Sequence, residues 1–183
     1  MPPTLPDLLR PGLDLVFVGI NPGEASARSG HYYAHRGNRF WPALSASGLV
    51  PRAVGPLDDI WLGEACGIGF TDVVKRVVTD STKVTASDVR EALPLFIERI
   101  AAAQPRALCF TAGRACDEVF PGVRGTAGWG QLPVSFHGLE ACAVWVMPST
   151  SGLAVRWRAE GDRVLRDLAT SLGRAHDTSR SAS

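Results

Sequence analysis

Four cysteines, Cys66, Cys109, Cys116 and Cys142, are all that this 183-residue chain has, and no two of them form a Cys-x-x-Cys pair. No histidine stands at finger-like spacing from them, so neither a structural zinc site nor an iron–sulfur cluster is expected. All four are read instead as small buried core residues. No apolar run approaches the ~20 residues that cross a bilayer. The start, Met1-Pro2-Pro3-Thr4-Leu5-Pro6, has no basic region leading into an apolar stretch, and a cytoplasmic location is expected. An excess of one charge sign is missing too: 19 Lys and Arg against 18 Asp and Glu leave +1. A globally basic surface is thereby excluded, although a local stripe is enough to neutralise a few phosphates. Arg156, Arg158, Arg163 and Arg166 are the candidates for such a stripe. Charge on a helix is more often simple solvation, and that is the plainer reading of Arg163 and Arg166. No Gly-x-Gly-x-x-Gly, Walker-type loop or Gly-x-Ser-x-Gly elbow occurs, which disfavours nucleotide-binding and acyl-transfer enzymes.

What is present begins with Leu15-Val16-Phe17-Val18, a short apolar run that stops at Gly19-Ile20-Asn21-Pro22-Gly23. The run reads as a buried strand ending in a tight turn, with polar Asn21 at its C-terminal end. In open α/β sheets ligands bind at that end of the strands. Ala143-Val144-Trp145-Val146-Met147 followed by Pro148-Ser149-Thr150-Ser151-Gly152-Leu153 has the same form. Two such strands would frame one cleft from both sides.

Between them helices and strands alternate. Residues 1–12 read as a Pro-rich surface lead-in, 13–172 as one domain, and the Ser- and Arg-rich tail from Gly173 as disordered. A long loop is expected up to Gly37, then a helix capped by Asn38 and ending near Gly48, and a shorter one over 57–65 closed by Gly67. Phe70–Val74 is expected as a short strand or extended loop, and 78–86 as a loop. Ser87 is expected to cap a helix running to Ala103, with a kink or late start at Pro94. Further strands are expected at 107–110, 134–136 and 141–147, the last two forming a near-hairpin through His137-Gly138. Helices are expected at 114–120 and 156–171. The alternation argues for a three-layer α/β/α domain with a mostly parallel central sheet.

The two loop motifs, together with Gly30-His31-Tyr32-Tyr33, Gly37-Asn38-Arg39-Phe40-Trp41 and Gly69-Phe70-Thr71-Asp72, resemble the mismatch-specific uracil/thymine-DNA glycosylases over roughly residues 13–170. The resemblance implies that fold and a monofunctional enzyme that flips uracil, and other altered pyrimidines including thymine, out of double-stranded DNA and hydrolyses the N-glycosidic bond. It implies no cofactor or metal, and base flippers of this size are expected to act as monomers. Asn21 matches the family's water-positioning asparagine. An amide both donates and accepts hydrogen bonds and so holds a water without taking its proton. Asn before Pro also commonly bonds its own turn.

Gly19, Ile20 and Gly23 belong to the turn whose backbone N–H groups would face the departing base, with the glycines permitting close approach. Tyr33 matches the family's stacking aromatic, and Ser26 a small residue beside C5 of the pyrimidine that leaves room for a methyl group. Asp72 departs from the family, which more often has Asn or Lys there. A carboxylate at a central strand's end is expected to act as a second catalytic group, unless it caps the segment that follows.

Leu153 matches the wedge that fills the vacated stack. Ser149, Ser151 and Gly152 carry it, and the two serines are phosphate candidates. Val155 stands where some relatives place an arginine that reaches the widowed guanine, with Arg156 next to it, so weak discrimination between opposing bases is expected. Arg39, Lys75 and Arg76 are further phosphate candidates. Asn38 caps, while Phe40 and Trp41 pack. No lysine is placed as a Schiff-base former, so no lyase step is expected. A non-catalytic damage-binding module is the alternative.

Overall fold

The computed structural model describes residues 4–174. Five strands form one sheet in the order β2-β1-β3-β5-β4. They are β1 (Leu15–Gly19), β2 (Ile68–Asp72), β3 (Ala107–Phe110), β4 (Gly130–Leu132) and β5 (Ala143–Val146). The pairs β1–β2, β1–β3 and β3–β5 are parallel, and only β4 runs antiparallel to its neighbour. Every residue of β1, β2 and β3 is buried, as a parallel sheet covered on both faces requires.

The period-2 alternation of β1 sorts two cores. Leu15 and Phe17 join Phe40, Trp41, Leu62, Phe70, Trp145 and Leu165 on one face. This side is covered by α2 (Phe40–Ser45), α3 (Asp59–Cys66) and α7 (Arg158–Ser171). Val16 and Val18 join Phe96, Ile100, Leu108, Phe110, Cys116 and Val144 on the other, beneath α4 (Ala86–Ala103) and α5 (Gly113–Val119). The sheet between two helical layers is the α/β/α sandwich expected from the alternation.

Several local expectations need correction. The loop after β1 contains a one-and-a-half-turn helix, α1 (Glu24–Ser29), and α6 (Val123–Ala127) follows α5. Both are too short for a visible apolar period. Asn38 is not the N-cap of α2, which is Arg39, but its Oδ1 still accepts from the Phe40 N–H at 2.9 Å. Thr85, not Ser87, caps α4: its hydroxyl accepts from the Asp88 N–H and Asp88 answers on the Thr85 N–H, a capping box with Asp in the third position. The helix runs unbroken through Pro94, whose side lies toward solvent, so the carbonyl it leaves unpaired is open to water.

The partner of β5 is Gly130–Leu132 rather than 134–136. Phe136 is drawn away into the core against Phe120 (ring centroids 4.8 Å apart) and keeps only an isolated bridge to Leu139 around the turn. Cys109, Cys116 and Cys142 are buried as expected, whereas Cys66 is only partly covered.

The strand carrying Asp72 is an edge of the sheet, not a central one. Its outer side is closed by the N-terminal segment, where Leu8 and Phe70 exchange backbone hydrogen bonds of 2.9 and 3.1 Å. Leu5 is 1% exposed. The described part of the lead-in, residues 4–12, is therefore packed against the domain and not a free surface stretch. At the other end Gly173 and Arg174 extend the cap of α7: Arg174 N–H bonds the Ala169 carbonyl, and its side chain pairs with Asp14. The rest of the tail lies outside the described residues.

Candidate active site

Parallel strands aim their carboxyl ends at one edge, and here those ends carry Asn21 after β1, Asp72 at the end of β2, Thr111 after β3 and Ser149 after β5. All four line one cleft of about 410 Å³, with Gly19, Ile20, Gly23, Ser26 and Tyr33 around them. Its place is where open α/β sheets bind ligands, and its size is in the range of small-molecule sites.

The turn Gly19–Gly23 is held from behind. The carbonyls of Gly19, Ile20 and Pro22 accept from the N–H groups of Val73, Val74 and Val78. The Asn21 amide nitrogen donates to the Pro22 and Val78 carbonyls, both at 2.9 Å. This leaves Oδ1 buried with no protein partner. Asn21 thus bonds its own turn through its nitrogen rather than as the acceptor of an Asx turn, and so keeps its acceptor free. A buried carbonyl oxygen without a donor is costly, and a water or substrate donor relieves the cost. The Val78 carbonyl that fixes this orientation has no signal in the sequence.

Asp72 is 4% exposed, and no side-chain hydrogen bond holds it; its Oδ2 is buried and unpartnered. It caps nothing. Burial first, and the Asp7 carboxylate second in the same direction, push its carboxyl up to about 7, against the opposing pull of Lys75 and Arg99. A carboxyl with that affinity exchanges its proton near neutrality, as a general base must. Gly19 is required beside it: a Cβ there would stand 2.2 Å from Asp72 Oδ1. Gly23 shows no such need, because the space where its Cβ would lie is open.

Tyr33 takes a left-handed backbone (φ 52°) and stacks on Phe40, with centroids 4.1 Å and planes 25° apart. Its hydroxyl shares a 2.9 Å hydrogen bond with Thr111. Strain of this kind persists only where surroundings enforce it. Here they do: buried Asp59 accepts from the Tyr32 N–H and bonds His31, both at 3.0 Å, which pins the chain just before Tyr33. Tyr32 points away into the core, its hydroxyl on the Pro6 carbonyl. Ser26 is buried on α1 and its Oγ accepts from the Ala34 N–H.

The loop after β5 is braced on the segment before α2. Thr150 donates its hydroxyl to Asn38 Oδ1 (2.7 Å), and the Arg39 N–H donates to the Thr150 carbonyl (2.9 Å). Gly152 passes so close to Gly37 that a Cβ would lie 3.3 Å from its carbonyl oxygen. Ser149 Oγ accepts from the Ser151 N–H, so that hydroxyl is partly committed. From this fixed base Leu153 projects with 99% of its surface exposed. Arg156 lies 5.1 Å over the Trp157 ring.

Of the other cations, Lys75 pairs with Asp7, Arg76 with Asp88, and Arg163 with Glu160 and Asp167. These contacts make them poor phosphate ligands. Arg28, Arg36, Arg39, Arg156 and Arg158 have no ion pair among the described residues. No cluster of three or more His, Cys, Asp or Glu able to hold a metal occurs among the described residues, and no helix there is long and apolar enough to cross a membrane.

A sequence model of the uracil DNA glycosylase superfamily matches residues 6–172. The chain belongs to that superfamily. Its fold is also similar to the solution structure of a Methanosarcina acetivorans protein provisionally named a uracil DNA glycosylase. That match has a TM-score of 0.51 and 22% identity, and covers 90% of this chain and 96% of the other. Superfamily membership indicates a DNA glycosylase, and with it a DNA substrate. Its match begins at residue 6, inside the segment that closes the edge of β2.

Proposed function

We propose that this protein is a monofunctional, uracil-excising DNA glycosylase of the mismatch-specific type, acting as a monomer on double-stranded DNA. The observation that carries the reading is the pair of unpartnered acceptors in one cleft, Asn21 Oδ1 and Asp72 Oδ2. Asn21 would hold the attacking water through its free carbonyl oxygen. Asp72 would take the water's proton as the C–N bond breaks, or face the cationic sugar. The turn around Ile20 and Gly23 would receive the negative charge on the departing base. Tyr33, backed by Phe40, would stack on the flipped base, and Ser26 would border its C5 edge, leaving room for thymine.

Leu153 would fill the gap in the stack, with Ser149, Ser151, Gly152 and Arg156 against the backbone. The chain has two lysines, Lys75 and Lys83; the first is engaged by Asp7 and the second lies exposed, so neither is set up for a Schiff base. With Val155 beside the wedge, G·U and A·U pairs should be cut at rates within about a hundredfold of each other, a span of ~2.7 kcal/mol in barrier.

The test is abasic-site formation under single turnover on duplexes carrying G·U, A·U or G·T. Cleavage of both uracil duplexes, revealed by alkali and absent without it, supports the reading. No product on any of them, with binding intact, would favour a damage-binding module on the same fold.

A further inference from the structure

The N-terminal segment does more than cover an edge. Asp7 Oδ1 accepts from the Thr71 hydroxyl (2.7 Å) and from Lys75 Nζ (2.8 Å), while Oδ2 pairs with Arg99 Nε (2.9 Å). Arg99 reaches onward from α4 and donates from Nη2 to the Asp72 carbonyl at 2.8 Å. The segment is fastened on both sides of Asp7. Thr4 donates to the Lys75 carbonyl (2.6 Å), Tyr32 donates to the Pro6 carbonyl (3.0 Å), and Leu8 pairs with Phe70. Leu5, next to this knot, lines the cleft itself. One carboxylate therefore ties the N-terminal segment to β2, to the loop that follows it and to α4, the Arg99 Nε contact being an ion pair and not a hydrogen bond.

We propose that Asp7 is a positioning residue for Asp72: with Arg99 and Lys75 it fixes the end of β2 and sets the charge around the carboxylate that the proposed mechanism uses as its base. The inference rests on that reading of Asp72. The charged and titratable groups facing Asp72 are Lys75 on its own following loop, Asp7 on the N-terminal segment, Arg99 on α4, and the Tyr32 and Tyr33 phenols, whose own ionisation burial pushes far out of range. Among these, Asp7 favours the protonated form of Asp72, and Lys75 and Arg99 favour the ionised form.

Removing Asp7 and removing Arg99 must therefore act in opposite directions. Asp7→Asn deletes the negative charge and frees two cations, so Asp72 should release its proton at lower pH. Arg99→Gln deletes a cation and leaves Asp7 less neutralised, so the release should move up. Mere loosening of the fold would not produce shifts of opposite sign.

The experiment is a carboxyl ¹³C titration of Asp72 in wild type, Asp7→Asn and Arg99→Gln, assigned by Asp72→Asn. It is paired with the pH dependence of single-turnover uracil release from a G·U duplex. The expected result is a midpoint lowered by about one pH unit in Asp7→Asn and raised by about as much in Arg99→Gln. The acidic arm of the rate profile should follow each shift. Shifts of the same sign, or none, overturn the proposal. If Asp7→Asn does not fold, Asp7→Ser, which keeps a hydroxyl against Thr71 and Lys75, replaces it: a downward shift supports the proposal, and an upward or unchanged midpoint overturns it. If the titration shifts appear but Asp72→Asn keeps the wild-type rate profile, the basic role of Asp72 fails while the coupling to Asp7 stands.

Discussion

At the scale of single residues the site is organised by groups left without partners. Asn21 has its nitrogen satisfied twice and its oxygen not at all; Asp72 is buried with no hydrogen bond to its side chain. Folding gains nothing from either arrangement, and for Asp72 the cost is measurable through pH. Its folded-state carboxyl is raised from 3.8 to about 7. At low pH both folded and unfolded chains hold the proton and no penalty exists. As pH rises from about 4 to about 7 the unfolded chain releases the proton and the folded chain does not, so stability falls through that window. Above it the penalty is complete, on the order of a few kcal/mol at ~1.4 kcal/mol per unit. Asp72→Asn removes the titration. Urea unfolding should show the variant gaining on wild type between pH 5 and pH 8. A difference that stays flat across that range would mean that Asp72 is not held in its protonated form.

At the scale of elements, two loops and one edge do the positioning. The loop after β5 is rigid where it touches the segment before α2 and bare at its tip. Leu153 makes no packing that the fold depends on, being 99% exposed. Leu153→Ala should therefore leave the melting temperature unchanged while slowing uracil release from duplex far more than from single-stranded DNA, where no stack has to be refilled. Duplex and single-strand rates falling by the same factor would remove the wedge role.

The elements were legible to different degrees. The strands β1 and β5 announce themselves as β-branched and aromatic runs closed by Gly or Pro, β3 as the short apolar run Ala-Leu-Cys-Phe after Pro105, and α4 by Val89, Phe96 and Ile100 at helical spacing. The short helices α1 and α6 have no room for a period, and β4 is hidden because Phe136 is a better core residue than strand residue. The site followed the same division. Asn21, Tyr33 and Leu153 stand in motifs, whereas the Val78 carbonyl and the Thr111 hydroxyl come to the cleft, and the Asp7–Arg99 pair to the end of β2, from far along the chain. Only the folded topology brings them there.

For the whole molecule, a net charge of +1, with one arginine, Arg28, in the lining of the cleft and others on the neighbouring loops, describes a protein whose attraction to DNA is local. Arg28 lines the cleft, Arg39 and Arg158 line a smaller pocket beside the loop after β5, and Arg36 and Arg156 stand close to these in the chain; Lys75, Arg76 and Arg163 are tied up in ion pairs, and Arg114 in hydrogen bonds to the Ser81 and Val84 carbonyls. If each of the five neutralises one phosphate, the plot of log K against log salt should have a slope no steeper than about −4.5. Fluorescence anisotropy on a duplex from 50 to 300 mM salt measures it. A slope near −8 would require a second basic surface that these arginines do not provide.

In the proposed mechanism a water held by Asn21 cleaves the glycosidic bond with Asp72 beside it. The most direct test is the single-turnover rate of uracil release from a G·U duplex at pH 8 for wild type, Asn21→Ala and Asp72→Asn, with binding measured separately. Losing the positioned water should slow the reaction by about a hundredfold or more, and losing the base by about as much, with binding changed little. Wild-type rates in Asn21→Ala would contradict the claim outright.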